Sequence, residues 1–281
     1  MKPLSVQALE RVGKNWSVGK GTREAKLQTI KRFCQFAQKQ FGLQRIENLK
    51  PGHVQAYAQS LHDQKLDSRT GANYMSHVRD LCQAIGKGGI VATDNAAYGF
   101  GGASRQNPMN VNCDKIAEIR LQLDAKAAAG DRVALMMSAT AGMRDAFGLR
   151  QEEAMLSCRV VMRDGKPHLD VQGAKGGKPR EVPVRNDKQV TALDKLAATA
   201  KALGNAQGRA IPPELSLNTA MNKESKEWNK MGGTRAAKAN MHAQRHAYAQ
   251  ERLAEGATKA EVNRELGHGD HRSLGCYVPN E

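Results

Sequence analysis

The sequence predicts a mainly α protein of the α+β kind: a four-helix N-terminal domain, then a mostly helical domain with one small three-stranded antiparallel sheet. Three observations support this. Apolar residues recur at helical spacing over most of the first 85 residues and again from Asp114. A glycine-crowded stretch without periodicity separates the two parts. Strand-like segments with a tight-turn signal are confined to residues 158–184. The division expected is residues 1–86, a linker over 87–112, and a second domain over 113–281.

A short helix near residues 5–13 comes first. Thr22 then suits an N-cap, after which Leu27, Ile30, Cys34, Ala37 and Phe41 form a stripe, with Lys26, Lys31, Arg32 and Lys39 largely off it. A third helix opens at Pro51, where the missing N–H costs nothing, and buries Val54, Ala58 and Leu61. A fourth opens after Ser68 and aligns Tyr74, Val78, Leu81, Cys82 and Ile85. Gly86, Gly88, Gly89, Gly99, Gly101, Gly102 and Pro108 then mark the linker. The second domain starts with helices around Ile116–Leu123 and Val133–Ala139. Strands follow at Cys158–Met162, His168–Val171 and Glu181–Val184, the first pair joined through Asp164-Gly165. Gly173 to Pro179 makes a glycine-rich hairpin carrying Lys175 and Lys178. Helices at 187–202, 216–230, 240–254 and 258–266 complete the chain, with stops at Gly232, Gly256 and Gly267.

Charge narrows the function classes. The 281 residues carry 43 basic and 28 acidic side chains, a formal charge of +15. Residues 1–112 hold 16 basic and 7 acidic groups, the remainder 27 and 21. So basic a chain favours a polyanionic partner, through counterion release from phosphates and electrostatic steering. No apolar run reaches the roughly 18–20 residues of a membrane span, and the N-terminus lacks the apolar core of a signal peptide. The cysteines (34, 82, 113, 158 and 276) are odd in number and form no C-x-x-C pair, which fits free thiols in a reducing cytoplasm. The segment Gly13–Gly21 has the wrong glycine spacing for a phosphate loop, so no ATP site is expected.

The chemistry-bearing residues cluster late. Phe147-Gly148-Leu149-Arg150 puts Arg150 at a helix start with Glu153 three residues on to orient it. Met241-His242-Ala243-Gln244-Arg245-His246 sets His242 and Arg245 on one helix face. Leu266-Gly267-His268 ends a helix, and Tyr277 follows nine residues later. Such a set suits phosphodiester cleavage without a metal. Guanidinium forks clamp the charge of the transition state, a lysine or histidine protonates the leaving oxygen, and a tyrosine with a pKa of about 10 receives help losing its proton.

The order G-L-R-x-x-E, lysine hairpin (Lys175 to Arg180), H-x-x-R-H, L-G-H and Tyr277 resembles the tyrosine recombinase (phage integrase) family over about residues 135–278. The N-terminal helices are more loosely similar to that family's SAM-like core-binding domain. The resemblance implies a site-specific DNA recombinase, or integrase, acting on double-stranded DNA through a 3′-phosphotyrosine, with no cofactor and no metal, and self-assembling as a tetramer on DNA. Arg150 and Arg245 would neutralise the scissile phosphate, Lys175 would protonate the 5′-oxygen, His242 would accept the tyrosine proton, and His268 would hydrogen-bond the phosphate. Tyr277 would be the nucleophile.

Several alternatives stand beside these assignments. Lys178 competes with Lys175, and Arg144 with Arg150, although Arg144 has Phe147 three residues on instead of an acid. His246 reads as a structural helix residue and Cys276 as a small buried one. The pair His242/His246, with His268 and His271, would suit a metal, but no glutamate lies within it as in H-E-x-x-H. A type IB topoisomerase shares the chemistry, and a catalytically silent DNA-binding relative would keep the fold. Only Val278, Pro279, Asn280 and Glu281 follow Tyr277, too few for the family's tail helix, which predicts a monomer in the absence of DNA.

Overall fold

The computed structural model describes residues 2–13, 19–101, 109–173, 180–268, 275 and 277. Lys175, Lys178, His271, Cys276 and the residues after Tyr277 lie outside these. The chain divides into two compact units, Met1–Ser104 and Arg105–Glu281.

The first unit packs α1 (Leu4–Val12), α2 (Lys20–Phe41), α3 (Pro51–Asp63) and α4 (Ser68–Ala84). The predicted stripes point inward: Ile30, Cys34 and Ala37 of α2, Val54, Ala58 and Leu61 of α3, and Val78, Leu81 and Cys82 of α4 are all buried. Two boundaries shift. Gly19, not Thr22, precedes α2, and the cap of α4 is Asp67, whose carboxylate accepts the Thr70 N–H at 3.0 Å.

The expected linker over 87–112 is structured as far as Gly101. Short 3₁₀ turns at Gly88–Ile90 and Asn95–Tyr98 return the chain to the helices, and Val91, Tyr98 and Phe100 are buried in the same core. Phe100 stacks on His62 at 4.1 Å and lies so close to α4 that a Cβ at Gly71 would fall 2.2 Å from its ring. Turns of three or four residues carry no helical period, so the sequence pattern is silent while the packing is not.

In the second unit α5 (Cys113–Ala128) and α9 (Leu217–Lys230) flank α6 (Arg132–Phe147). Asp131 caps α6 by accepting the N–H groups of Val133 and Ala134. From Met136 to Met143 every residue of α6 is buried. A helix covered all round has no polar face, and for that reason only its Val133–Ala139 half is legible in the sequence. After α7 (Gln151–Leu156) come β1 (Arg159–Arg163), β2 (Lys166–Val171) and β3 (Arg180–Pro183), antiparallel in the order β1-β2-β3. Val161 pairs with His168, and Leu169 with Val182. Asp164 and Gly165 both have positive φ (49° and 73°), as a two-residue type I′ hairpin turn demands. Leu169 and Val182 bury against Phe147 of α6 and Leu196 of α8 (Asp187–Leu203). Two further helices, α10 (Ala243–Ala254) and α11 (Lys259–Leu266), form a separate small core of Tyr248, Ala249, Val262, Leu266 and Tyr277. No helix among the described residues is long and apolar enough to cross a membrane.

Candidate active site

The site is assembled where the turns that end α6 and α11 meet the start of α10. Gly148 stops α6 in the left-handed conformation (φ 63°), and a Cβ there would sit 2.4 Å from the Tyr248 ring. This sharp turn delivers Arg150 to the N-terminus of α7. There the Arg150 backbone N–H donates to Glu153 Oε2 at 2.8 Å and Nη1 donates to Oε1 at 2.5 Å. Glu153 is fully buried, whereas Arg150 keeps 27% of its side chain exposed, enough to meet an incoming anion.

Glu153 serves more than one arginine. Arg180, at the start of β3, donates from both terminal nitrogens to its two oxygens at 2.8 and 2.7 Å, and Arg245 Nη1 lies 3.8 Å away. Burial pushes the Glu153 carboxyl up. The Arg180 fork and charge, with the N–H and guanidinium of Arg150, outweigh that and hold it at about 2.

His242 caps α10, and Arg245 follows one turn on with its side chain fully buried. Arg245 Nη1 donates to the Gly148 carbonyl at 2.6 Å and Nη2 to the Leu266 carbonyl. Thus one side chain bridges the turns that end α6 and α11. Burial, reinforced by the neighbouring Arg150 charge, lowers its pKa to about 10, which leaves it a cation at neutral pH.

Gly267, left-handed at φ 64°, ends α11 and turns His268 inward, so that its Nε2 sits 3.2 Å from Arg245 Nη2. A guanidinium only donates, so Nε2 accepts and the ring proton resides on Nδ1. Burial, followed by the charges of Arg245, Arg150, Arg180 and His242, pushes His268 down to about 4. It is therefore neutral through the physiological range.

Tyr277 closes the cluster. Its hydroxyl is 3.3 Å from His242 Nε2 and 3.4 Å from Arg245 Nε. Its ring packs on His246 (4.3 Å, 34°) and lies 5.3 Å from the His268 ring. Of the sequence-predicted residues, His242, Arg245, His268 and Tyr277 are thus in mutual contact, Arg150 is joined to them through Glu153, and Lys175 lies outside the described residues. Arg144, the rival of Arg150, is elsewhere. It is 1% exposed in an ion pair with buried Glu224 (2.6 Å), donates to Gln244 Oε1 and lies against Trp228. Among the described residues no group of His, Cys, Asp or Glu converges as metal ligands would. Two participants escaped the sequence reading: Arg180, seen only as part of the hairpin motif, and the His246 ring face under Tyr277.

A family model described as "Phage integrase, N-terminal" matches residues 1–91, and one described as "Integrase" matches residues 99–251. No curated protein sequence matches significantly. Among solved structures, XerH site-specific recombinase bound to palindromic difH substrate superposes with a TM-score of 0.65 at 16% identity, covering 93% of this chain and 76% of that one. A lambda integrase tetramer bound to a Holliday junction gives 0.62 at 17% identity, covering 96% and 75%. The Tn1549 transposon integrase with transposon right-end DNA gives 0.57 at 15% identity, covering 100% and 96%. At such identities the likeness is one of fold.

Proposed function

Given that this chain belongs to the integrase family, we propose that it is a site-specific DNA recombinase, cutting and rejoining double-stranded DNA through a covalent bond to Tyr277. The observation that carries the reading is the contact of the Tyr277 hydroxyl with His242 and Arg245, the latter also touching His268 and feeling the charge of Arg150.

His242 Nε2 takes the phenolic proton, the Tyr277 oxygen attacks phosphorus, and the bond to the 5′-oxygen breaks as Lys175 gives that oxygen a proton. The products are a 3′-phosphotyrosine and a free 5′-hydroxyl. Arg150 and Arg245 neutralise the charge gathering on the non-bridging oxygens. Arg245 is covered in the DNA-free chain, and a phosphate reaching its Nε takes the place of the Tyr277 contact. The ester exchange conserves bond energy, so a second strand's 5′-hydroxyl reverses the step without ATP or another cofactor.

The excess of basic residues supplies the non-specific grip on DNA. Assembly as a tetramer on DNA follows the arrangement named for lambda integrase on a Holliday junction, and the working compartment is the cytoplasm, where DNA is accessible. The test is a set of nicked suicide duplexes covering the DNA that flanks the gene, from which strand ends diffuse away after cleavage. Wild-type protein should become attached to a 3′ end and remain so in denaturant. Failure to form any adduct on duplexes that it binds would refute the reading.

A further inference from the structure

Arg180 is the first residue of β3, directly after the glycine-rich connection, where a charge ordinarily faces solvent. Its side chain is 8% exposed. Nη1 and Nη2 fork onto Glu153 of α7, and Nε donates to the Glu265 carbonyl in the last turn of α11 at 2.8 Å. A single guanidinium therefore joins β3, α7 and α11, three segments far apart in sequence. The fit is close: a Cβ at Gly267 would come within 2.8 Å of Arg180 Cδ, so the turn bearing His268 rests on the arginine stem. The carboxylate that Arg180 grips is the same one that receives the backbone N–H and guanidinium of Arg150.

We propose that Arg180 is a positioning residue for strand cleavage, holding Glu153 in register with Arg150 and tying the His268 turn to the sheet. The proposal rests on the recombinase reading. With all three of its nitrogens engaged by protein acceptors, Arg180 does not itself touch the phosphate. It acts through Glu153 and the α11 turn, because two short forked bonds fix the carboxylate plane as a single-point contact does not.

Two variants and two readouts test this. Arg180→Met keeps the stem and removes the fork and the charge. Arg180→Lys keeps the stem and charge without the fork. The first readout, the titration of the His268 ring followed by NMR in the DNA-free protein, needs no cleavage. That ring is faced by Arg245 and His242 from α10, Arg150 from α7, Arg180 from β3, and Tyr277. In wild type it should titrate near pH 4, and in the Met variant it should move up toward the ordinary histidine range as a cation leaves and the turn loosens. The second readout is single-turnover cleavage of the suicide duplex, which should slow about 100-fold in the Met variant, the order expected for a displacement near 1 Å. DNA affinity should change little, and Lys should recover only part of the rate. A Met variant that does not fold leaves the Lys variant to decide, with cleavage slowed about tenfold at an unchanged melting temperature. An unmoved His268 titration, cleavage at the wild-type rate, or a loss matching the unfolded fraction would overturn the proposal. A wild-type protein that forms no adduct would sink the recombinase reading instead, while the titration would still judge the tether.

Discussion

The Tyr277 hydroxyl stands 3.3 Å from Nε2 of His242, the cap of α10. A phenol placed against an imidazole acceptor has an outlet for its proton. His242→Ala should therefore slow cleavage about 100-fold or more while leaving DNA affinity unchanged, the usual scale for a lost general base. A single-turnover rate within a few-fold of wild type would show that the proton leaves another way.

The two arginines of interest differ in what they face. Arg150 retains an exposed edge beside Glu153, whereas Arg144 is sealed against Glu224. Arg150→Ala should lower cleavage by orders of magnitude with little change in stability, and Arg150→Lys should rescue poorly because the bidentate fork is lost. Arg144→Ala should instead destabilise the fold by about 3–5 kcal/mol, the cost of stranding a buried charge. Cleavage rates and denaturant midpoints measured on both variants decide the matter, and the reverse pattern would exchange their roles. Cleavage by the wild type should survive EDTA.

Lys175 and Lys178 share the glycine-rich stretch of sequence between β2 and β3, and spacing alone does not separate them. A substrate with sulfur at the bridging 5′ position needs no proton on its leaving group. It should rescue Lys175→Ala and make no difference to Lys178→Ala. Rescue of the second variant alone would transfer the acid role to Lys178.

Glu153 links the site to acid stability. Its folded pKa, about 2, lies below the ordinary value of 4.5. A depressed folded pKa contributes stability that is full above the unfolded value and lost as pH falls from about 4.5 through about 2. The linked contribution is about 3 kcal/mol at most. Urea unfolding should show wild type well above Glu153→Gln at pH 6, with the gap closing near pH 2. A gap constant across that range would mean the carboxylate gains nothing from its arginines.

How much of this was legible in the sequence depended on locality. The α10 pair, His242 and Arg245, is a matter of spacing within one turn, and Glu153 was readable as the partner of Arg150 because the two are three residues apart. The β1–β2 hairpin announced itself through Asp164-Gly165. By contrast, Arg180 reaches Glu265 across 85 positions, a contact that depends on how β3 packs against α11 and leaves no periodic trace. The same holds for Phe100, whose return onto Gly71 turned an expected linker into core. The full length of α6 was hidden for the opposite reason: burial on all sides erased the polar stripe that marks a helix end.

Mass spectrometry of the protease-digested covalent adduct, trapped on a nicked suicide duplex, reads out whether Tyr277 becomes esterified to DNA. The peptide containing Tyr277 should carry the mass of a 3′-linked nucleotide on the tyrosine, and Tyr277→Phe should bind the duplex yet yield no adduct. A nucleotide found on any other residue, or an adduct formed undiminished by Tyr277→Phe, would show that Tyr277 is not the nucleophile.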